Sequence, residues 1–346
     1  MVGAAALLAG LFALAAGLEL SGYESGPALR ALWSGAFGSW YAITSATLVR
    51  AVPLILIGLG LALAFRAGAF NIGAEGQFYA GAIAATWIGL HVGPLPSPLA
   101  AAAVLSGAVL AGALWVAIPV LLRVRYGVVE VISTLLLNFV AEALTSLLVL
   151  GPLQESQHIY PQSDPVAEAA RLPLLPGTRL HAGLVLAVAG ALLLQWIFAR
   201  TLWGFRLRAV GLGPRAAEIA GRIDSRWMIA LALALSGAIA GLAGGVEVTG
   251  VSYALFQNLS PGYGFTAIAV ALLGRLHPLG VVLAGLLFGA LEAGAGAMQR
   301  EAGVPAVAVY VVEAVVILAV LLAESARRHG AATLASSAGV IRKAAA

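Results

Sequence analysis

The chain has 346 residues, of which 61% are apolar and only 10% are charged, and its mean hydropathy is +0.99. This composition excludes an ordinary water-soluble domain and indicates a lipid bilayer as the solvent. The lack of cysteine excludes disulfides and thiolate metal sites, and the net charge of +4 comes from basic residues in loops, which report membrane topology rather than nucleic-acid binding.

Apolar runs of roughly 20 residues, enough to cross about 30 Å of hydrocarbon, recur along nearly the whole chain. They predict ten helices, at residues 2–20, 42–65, 69–90, 98–122, 127–151, 181–199, 227–248, 264–274, 278–297 and 305–323. Most of the 19 basic residues then lie in loops on the same side as both termini. The positive-inside rule assigns that side to the cytoplasm.

The predicted domain plan is a transmembrane domain over 1–326 followed by a cytoplasmic tail over 327–346. Two connections are long. The proline-rich loop 151–180 is expected outside, whereas the basic loop 200–226 is expected inside. Segment 264–274 is too short to cross alone at about 1.5 Å per residue, so a broken or re-entrant helix is expected and full spanning stays open.

The predicted third helix opens on the polar sequence Phe70-Asn-Ile-Gly-Ala-Glu-Gly-Gln77. A helix there would put Asn71 and Glu75 on one face, one turn apart. An ionised carboxylate inside a bilayer costs roughly 2.5–3.5 kcal/mol unless it is paired or hydrated. Two interpretations stay open, a lining for a solute path and a hydrogen-bonded lock between helices.

The predicted fifth helix carries a polar residue at every fourth position, namely Glu130, Thr134, Asn138 and Glu142. These residues form one slanting stripe about 18 Å long. Such a stripe does not face lipid comfortably. It lines a translocation path or packs against the polar face of the third helix, and we favour the path. The candidate path residues on the two helices are Asn71, Glu75, Gln77, Thr134, Asn138 and Glu142.

The internal loop contains a short helix signal, with a glycine before a first-turn proline and a glycine at the end. The residues expected to form it are Gly213, Pro214, Arg215, Ala216, Ala217, Ile219, Ala220 and Gly221. This helix either anchors to anionic lipid at the membrane surface or presents its small apolar face to a groove in a soluble partner.

Four segments in this order resemble the permeases of the ribose, branched-chain amino acid and nucleoside ABC importers, and the nucleoside (simple-sugar) branch most of all. They are Phe70-Asn-Ile-Gly-Ala-Glu-Gly-Gln77, Glu130-Val-Ile-Ser-Thr-Leu-Leu-Leu-Asn138, Trp203-Gly-Phe-Arg-Leu-Arg-Ala-Val-Gly211 with Pro214-Arg-Ala-Ala217, and Gly264-Phe-Thr-Ala-Ile-Ala-Val-Ala-Leu-Leu-Gly274. The resemblance implies an all-α bundle with inverted repeats, similar to the vitamin B12 permease.

The same resemblance implies the partners. These are an ATPase with two cassettes inside, a second permease subunit as homo- or heterodimer partner, and a solute-binding lipoprotein outside, in a bacterial or archaeal plasma membrane. The helix from Pro214 to Gly221 would be the coupling helix that receives the motion of the ATPase.

The chain itself has no phosphate-binding loop, so we expect a transport subunit that is not an enzyme and depends on a separate ATPase. No metal, cofactor or catalytic constellation is predicted, and no nucleic-acid partner. The expected cargo is a nucleoside or a related sugar-bearing solute. The alternative class is a secondary transporter of small polar solutes, driven by protons through the membrane glutamates.

Overall fold

The computed structural model describes residues 2–305, 307, 310, 311 and 314. Within them the regular structure is helical, with two isolated β-bridges and no strand, which confirms the all-α prediction. The predicted tail 327–346 and nearly all of the predicted helix 305–323 lie outside the described residues.

Twelve helices follow one another in the described part of the chain. They are α1 Val2–Leu20, α2 Ser25–Phe37, α3 Trp40–Arg66, α4 Ala74–His91, α5 Ser97–Tyr126, α6 Glu130–Val149, α7 Gly183–Arg200, α8 Leu202–Leu212, α9 Pro214–Gly221, α10 Ser225–Ser252, α11 Tyr263–Leu273 and α12 Pro278–Ala302. A short 3₁₀ turn, Glu168–Ala170, lies in the long loop before α7. Six of these helices, α3, α5, α6, α7, α10 and α12, are long and apolar enough to cross a bilayer. The protein is therefore a polytopic helical membrane protein.

The sequence does not predict α2, and it starts the third helix too early. In α2 the buried residues are Ala28, Ala31, Leu32 and Ala36, spaced as on one helical face. Its other side is polar or exposed, so the segment lacks the continuous apolar run that identifies a spanning helix. The predicted start at residue 69 is wrong by five residues, because α4 begins only at Ala74.

The described residues divide into two compact units, one formed by residues 40–290 and the other by the described residues before and after them. The second unit has its own apolar core, in which Leu14 and Leu18 of α1 and Leu32 of α2 cluster with Met298 of α12. The candidate path residues and the predicted coupling helix all belong to the unit 40–290.

Helix α10 is the centre of the unit 40–290, where it contacts α3, α4 and α5. The helices approach closely because glycines face each other where they cross. Gly81 of α4 meets Gly241 of α10, and Gly112 of α5 meets Gly237 and Gly241. Small residues at such crossings let helix backbones touch, which is the usual way for helices to pack inside membranes.

Replacing Gly241 by alanine is expected to lower the free energy of unfolding by about 1–3 kcal/mol, as overpacked cores do. The new Cβ would lie closer than 3.0 Å to the Ala108 carbonyl oxygen and to the Gly112 Cα, both on the backbone of α5. Thermal unfolding of the purified protein in detergent measures the loss. Gly190→Ala is the matched control, because its Cβ would meet nothing nearer than the Leu59 Cδ1 at 3.7 Å. Equal unfolding temperatures for the two variants would contradict the packing argument.

Helices α10 and α11 are joined by an irregular connector, residues 253–262. Helix α10 ends in a π-helical stretch, and Tyr253 then reverses the chain with φ of 58°. Gly262, with φ of 99°, precedes α11. Eleven residues make α11 about 16 Å long, which is about half the hydrocarbon thickness. The prediction of a helix over 264–274 is confirmed, and α11 is too short to cross the bilayer by itself.

Candidate functional site

Residues 67–73, between α3 and α4, form an irregular segment that is mostly buried. Asn71 lies in this segment and not on α4, so the predicted pairing of Asn71 with Glu75 on one helical face is wrong. The physical reason is local, since the Asn71 Oδ1 accepts a hydrogen bond from the Gly73 amide (3.0 Å) and holds a turn that delays the helix. Without water, the other backbone groups of this segment need protein partners.

Side chains of α6 supply many of those partners. The Glu130 Oε1 accepts from the Phe70 amide (3.2 Å), and the Thr134 Oγ1 accepts from the Ile72 amide (3.3 Å). Asn138 bonds twice, as its Oδ1 accepts from the Gly76 amide (2.8 Å) and its Nδ2 donates to the Ile72 carbonyl (2.9 Å). This part of the stripe therefore packs against the polar start of α4, as one of the two interpretations of the stripe expects.

Asn71 and Gln77 form a buried amide pair that is anchored to α10. The Asn71 Nδ2 donates to the Gln77 Oε1 (2.8 Å), the Gln77 Nε2 donates back to the Asn71 Oδ1 (3.0 Å), and Asn71 also donates to the Ser236 Oγ (3.0 Å). Ser236 is eleven residues into α10, about 16 Å from its start. The polar layer therefore lies near the middle of the membrane-spanning region.

Glu75 connects α4 to the start of α11. Its Oε2 accepts a hydrogen bond from the Gly264 amide (2.6 Å), and only 6% of the residue is exposed. The first amides of a helix have no partner inside the helix and favour negative charge. The carboxylate therefore caps a half-length helix whose N-terminus lies inside the membrane region.

Ser260 and Tyr79 complete the cluster around Glu75. The Ser260 Oγ accepts from the amides of Gly262 (3.1 Å) and Tyr263 (2.9 Å), and the Tyr79 hydroxyl accepts from the Ser260 amide (3.3 Å). Both side chains are buried. They fix the connector 253–262 at the point where α11 begins.

Glu142, the last member of the stripe, is exposed on the surface of the unit. It is near enough to Glu75 and Tyr79 for electrostatic interaction with both. Much of the rest of α6 is apolar and exposed, including Leu136, Phe139 and Leu147. The structure thus brings Glu142 close to the Glu75 cluster. It leaves Glu142 outside the hydrogen-bonded layer that is formed by Asn71, Gln77, Thr134 and Asn138.

The tip of the long loop is held by two acidic side chains. The Glu155 carboxylate accepts from the Gln162 Nε2 and from the Tyr160 amide, and these bonds lower the pKa of Glu155. The Asp164 carboxylate accepts from the Ser156 hydroxyl and amide, which likewise lowers the pKa of Asp164. Both carboxyl groups therefore stay ionised to a lower pH than free carboxyl groups do, and their hydrogen bonds cross-link the tip of the loop.

The same loop is bonded to the connector 253–262. The Ser163 amide donates to the Leu255 carbonyl (2.7 Å), the Leu255 amide donates to the Ser163 Oγ (3.0 Å), and the Val166 amide donates to the Tyr253 carbonyl (2.8 Å). The long loop therefore holds the first part of the connector, and the connector leads on to the start of α11.

His181 ends the long loop just before α7. Its Nδ1 accepts from the Gly183 amide (3.2 Å), and the ring packs against Gly250 near the end of α10. Burial lowers the pKa of His181 to about 4. The ring is therefore neutral near pH 7 and fills space between two helix ends.

The predicted surface helix corresponds to α9, at the opposite end of α7 from the long loop. Gly213 precedes it, Pro214 occupies its first position, and Arg222 ends it with φ of 48°. Ala217 is buried, with 7% of the residue exposed, whereas Ile219 is 85% exposed. The predicted apolar face is therefore divided between the interior and the outer surface.

Two of the remaining predicted members lie on the outer side of this helix, and a third ends it. Arg215 and Ala216 are exposed, and Gly221 is the last helical residue. Ala220 belongs to the helix as well. Helix α8, which precedes α9, was part of the predicted loop and ends at Leu212, of which 91% is exposed.

Sequence reasoning missed the cluster around Glu75, namely the Gly264 amide that it caps and the Tyr79 and Ser260 side chains. Tyr79 lies one turn after Glu75 on α4, which is a local signal that could have been used. Ser260 lies in a stretch rich in glycine and proline, where breaks in membrane helices are common.

Comparison with known proteins gives consistent matches over most of the chain. Residues 43–321 match a family model described as branched-chain amino acid transport system, permease component. The chain is 41% identical to the glucose ABC transporter permease protein TsgB13 of Haloferax volcanii, over 82% of this chain and 77% of the relative. It is 40% identical to the guanosine ABC transporter permease protein NupP of Bacillus subtilis, over 90% of both chains.

A third relative, the nucleoside ABC transporter permease protein NupB of Lactococcus lactis, is 35% identical over 90% of this chain and 86% of its own length. The resemblance that the four sequence segments carry is confirmed by these matches. The chain therefore belongs to this permease family and is a membrane-spanning subunit of an ABC transporter.

Proposed function

We propose that this permease imports a nucleoside or a related sugar-bearing solute. The observation that carries the proposal is the 40% identity to a guanosine permease over 90% of both chains. The 41% identity to a glucose permease keeps a free sugar as the second candidate cargo. Both cargoes are neutral and rich in hydroxyl groups, which suits a path with few charges and several amide and hydroxyl side chains.

The proposed path runs along the surface next to Glu75 and Glu142. A carboxylate such as Glu142 costs about 2.5–3.5 kcal/mol in lipid, so we infer that it faces water or a partner subunit. Glu75 and the start of α11 lie beside it, and broken helices with exposed ends are the common way for transporters to build a binding site near the bilayer midplane. The wall behind this surface is stabilised by the hydrogen bonds of Asn71, Gln77, Thr134 and Asn138.

The partners follow from the same proposal. A separate ATPase, with two cassettes, binds at α9, and a solute-binding lipoprotein delivers cargo at the loop 151–180. A second permease subunit, identical or related, covers the exposed apolar face of α6. The termini and α9 are cytoplasmic, because loop 200–226 is the most basic connection, and the membrane is a bacterial or archaeal plasma membrane.

Uptake measurements test this function against the rival class. Cells with and without the chain are given radiolabelled guanosine, glucose, ribose and leucine, before and after depletion of ATP or collapse of the proton gradient. We expect guanosine or a sugar to accumulate only with the chain and only with ATP. Uptake that survives ATP depletion and follows the proton gradient would replace the ABC import proposal by proton-coupled transport.

Ile219→Asp is expected to release the ATPase that co-purifies with the tagged chain and to reduce ATP-dependent uptake at least tenfold. The variant puts a charge on the exposed side of α9, where desolvation on docking is costly. Ala217, another predicted member of this helix, is a poorer choice because it is buried. Leu20→Asp, on a residue at the end of α1 that is 89% exposed, is the control. Normal co-purification of the Ile219 variant would exclude α9 as the contact.

A further inference from the structure

A cavity of about 500 Å³ opens where the end of α5 meets the starts of α9 and α10. Its volume lies in the range of roughly 300–1,000 Å³ that is typical of small-molecule sites. The residues that line it are Val120, Arg123, Val124, Gly127, Pro214, Ser225, Arg226, Ile229, Ala230 and Leu233. No residue of the candidate path lies among them, so this cavity is separate from the Glu75 cluster.

Two arginines give the mouth of the cavity a positive charge. Arg226 is exposed and, in the part of the chain that the structure describes, forms no ion pair. Arg123 is half-buried and pairs with Glu130. The start of α10 lies at the same mouth, but the Asp224 carboxylate already accepts from the Trp227 amide there (3.0 Å), so the helix end adds no free positive charge. The unpaired guanidinium of Arg226, with Arg123 in the same lining, is what favours an anion.

The inner wall of the cavity is apolar. Val120 and Val124 come from α5, and Ile229 and Leu233 come from α10. Leu233 is seven residues beyond Arg226, so the wall extends about 10 Å along α10 from the basic mouth. A ligand that matches the whole cavity has an anionic end and an apolar body.

We propose that this cavity binds an anionic phospholipid, with the phosphate group at Arg226 and Arg123 and the upper acyl chain along the apolar wall. The cavity is at the end of the helices where basic loops lie, and basic cavities between membrane helices on that side are known sites for acidic lipid headgroups. A free anion would use the mouth and leave the apolar wall without a ligand. Because Pro214 lines the cavity, the bound lipid also contacts the first residue of α9.

Native mass spectrometry of the delipidated protein, titrated with phosphatidylglycerol or phosphatidylcholine of the same acyl chains, tests the proposal. We expect the anionic lipid to be retained at least tenfold better. Arg226→Ala should reduce its retention about tenfold, the size expected for one charge-assisted hydrogen bond. Arg206→Ala, which removes an exposed arginine of α8 away from the cavity, is the matched control.

A second variant tests the apolar wall without changing charge. Val124 is 51% exposed, so Val124→Trp can fill the cavity from its open side without disturbing the packed core. We expect it to reduce retention of phosphatidylglycerol as strongly as Arg226→Ala. Equal retention of the two lipids, equal effects of the Arg226 and Arg206 variants, or displacement of the lipid by inorganic phosphate would each overturn the proposal.

Discussion

Asn138→Leu is expected to lower the free energy of unfolding by about 1–3 kcal/mol, because the buried Gly76 amide then has no hydrogen-bond acceptor. In the structure this amide donates to the Asn138 Oδ1 at 2.8 Å, and the Ile72 carbonyl accepts from the Nδ2 at 2.9 Å. Gly76 is the third residue of α4, so no carbonyl of its own helix can replace the lost acceptor. Thermal unfolding of the purified protein measures the effect, and the amount of variant in the membrane should fall with it.

Phe139→Leu is the matched control for this substitution. Phe139 is the next residue of α6 and is 60% exposed, so its replacement changes no hydrogen bond. The polar stripe on its own predicts that Asn138→Leu loses uptake and folds normally, as a residue that only touches the solute would. The hydrogen bonds predict that stability and uptake fall together. An unfolding temperature equal to that of the control would show that Asn138 does not hold the start of α4.

The membrane-spanning helices were predictable because hydrophobic length is a property of the sequence itself. Helices α1, α3, α5, α7, α10, α11 and α12 begin within about two residues of the predicted starts, the usual uncertainty of helix ends. Helix α2 was not predicted because it buries only one narrow face and so lacks a continuous apolar run. The start of α4 was misplaced because a single side-chain bond, from the Gly73 amide to Asn71, decides it.

The candidate site was predictable only in part, since residue type and spacing do not specify partners far along the chain. The four-residue spacing of Thr134 and Asn138 correctly indicates one face of α6. The spacing of their partners, the amides of Ile72 and Gly76, follows from the irregular backbone before α4 and is invisible in the sequence. Glu75 and Gly264 are 189 residues apart and meet only in the folded chain.

Within the unit 40–290, the connector 253–262 is bonded to other parts of the chain at both of its ends. One of its ends is bonded to the long loop through Ser163 and Val166. Its other end is fixed at the start of α11 by Glu75 and Tyr79, at the level of the polar layer. The connector 253–262 therefore links the long loop along the chain to the start of α11, beside the proposed path.

Glu75→Leu is expected to reduce the initial rate of cargo uptake about 10- to 100-fold. The variant leaves the buried Gly264 amide without an acceptor, which costs about 1–3 kcal/mol, and each 1.4 kcal/mol changes an equilibrium about tenfold. The connector 253–262 is then less often in the arrangement that the structure shows. Uptake rates are normalised to the amount of the chain in the membrane, so that loss of folded protein is not mistaken for loss of transport.

Glu75→Gln separates the capping role from proton transfer. Glutamine keeps an oxygen that can accept from the Gly264 amide but cannot carry a proton, so we expect this variant to retain at least about a tenth of the uptake rate, since it keeps a neutral hydrogen bond. Glu24→Leu, an exposed glutamate before α2 whose side chain caps no helix amide, controls for the substitution itself. Normal uptake by Glu75→Leu would remove Glu75 from the mechanism. Complete loss of uptake in Glu75→Gln, with normal folding, would instead favour a proton-carrying glutamate, because only the carboxyl group can exchange a proton at this position.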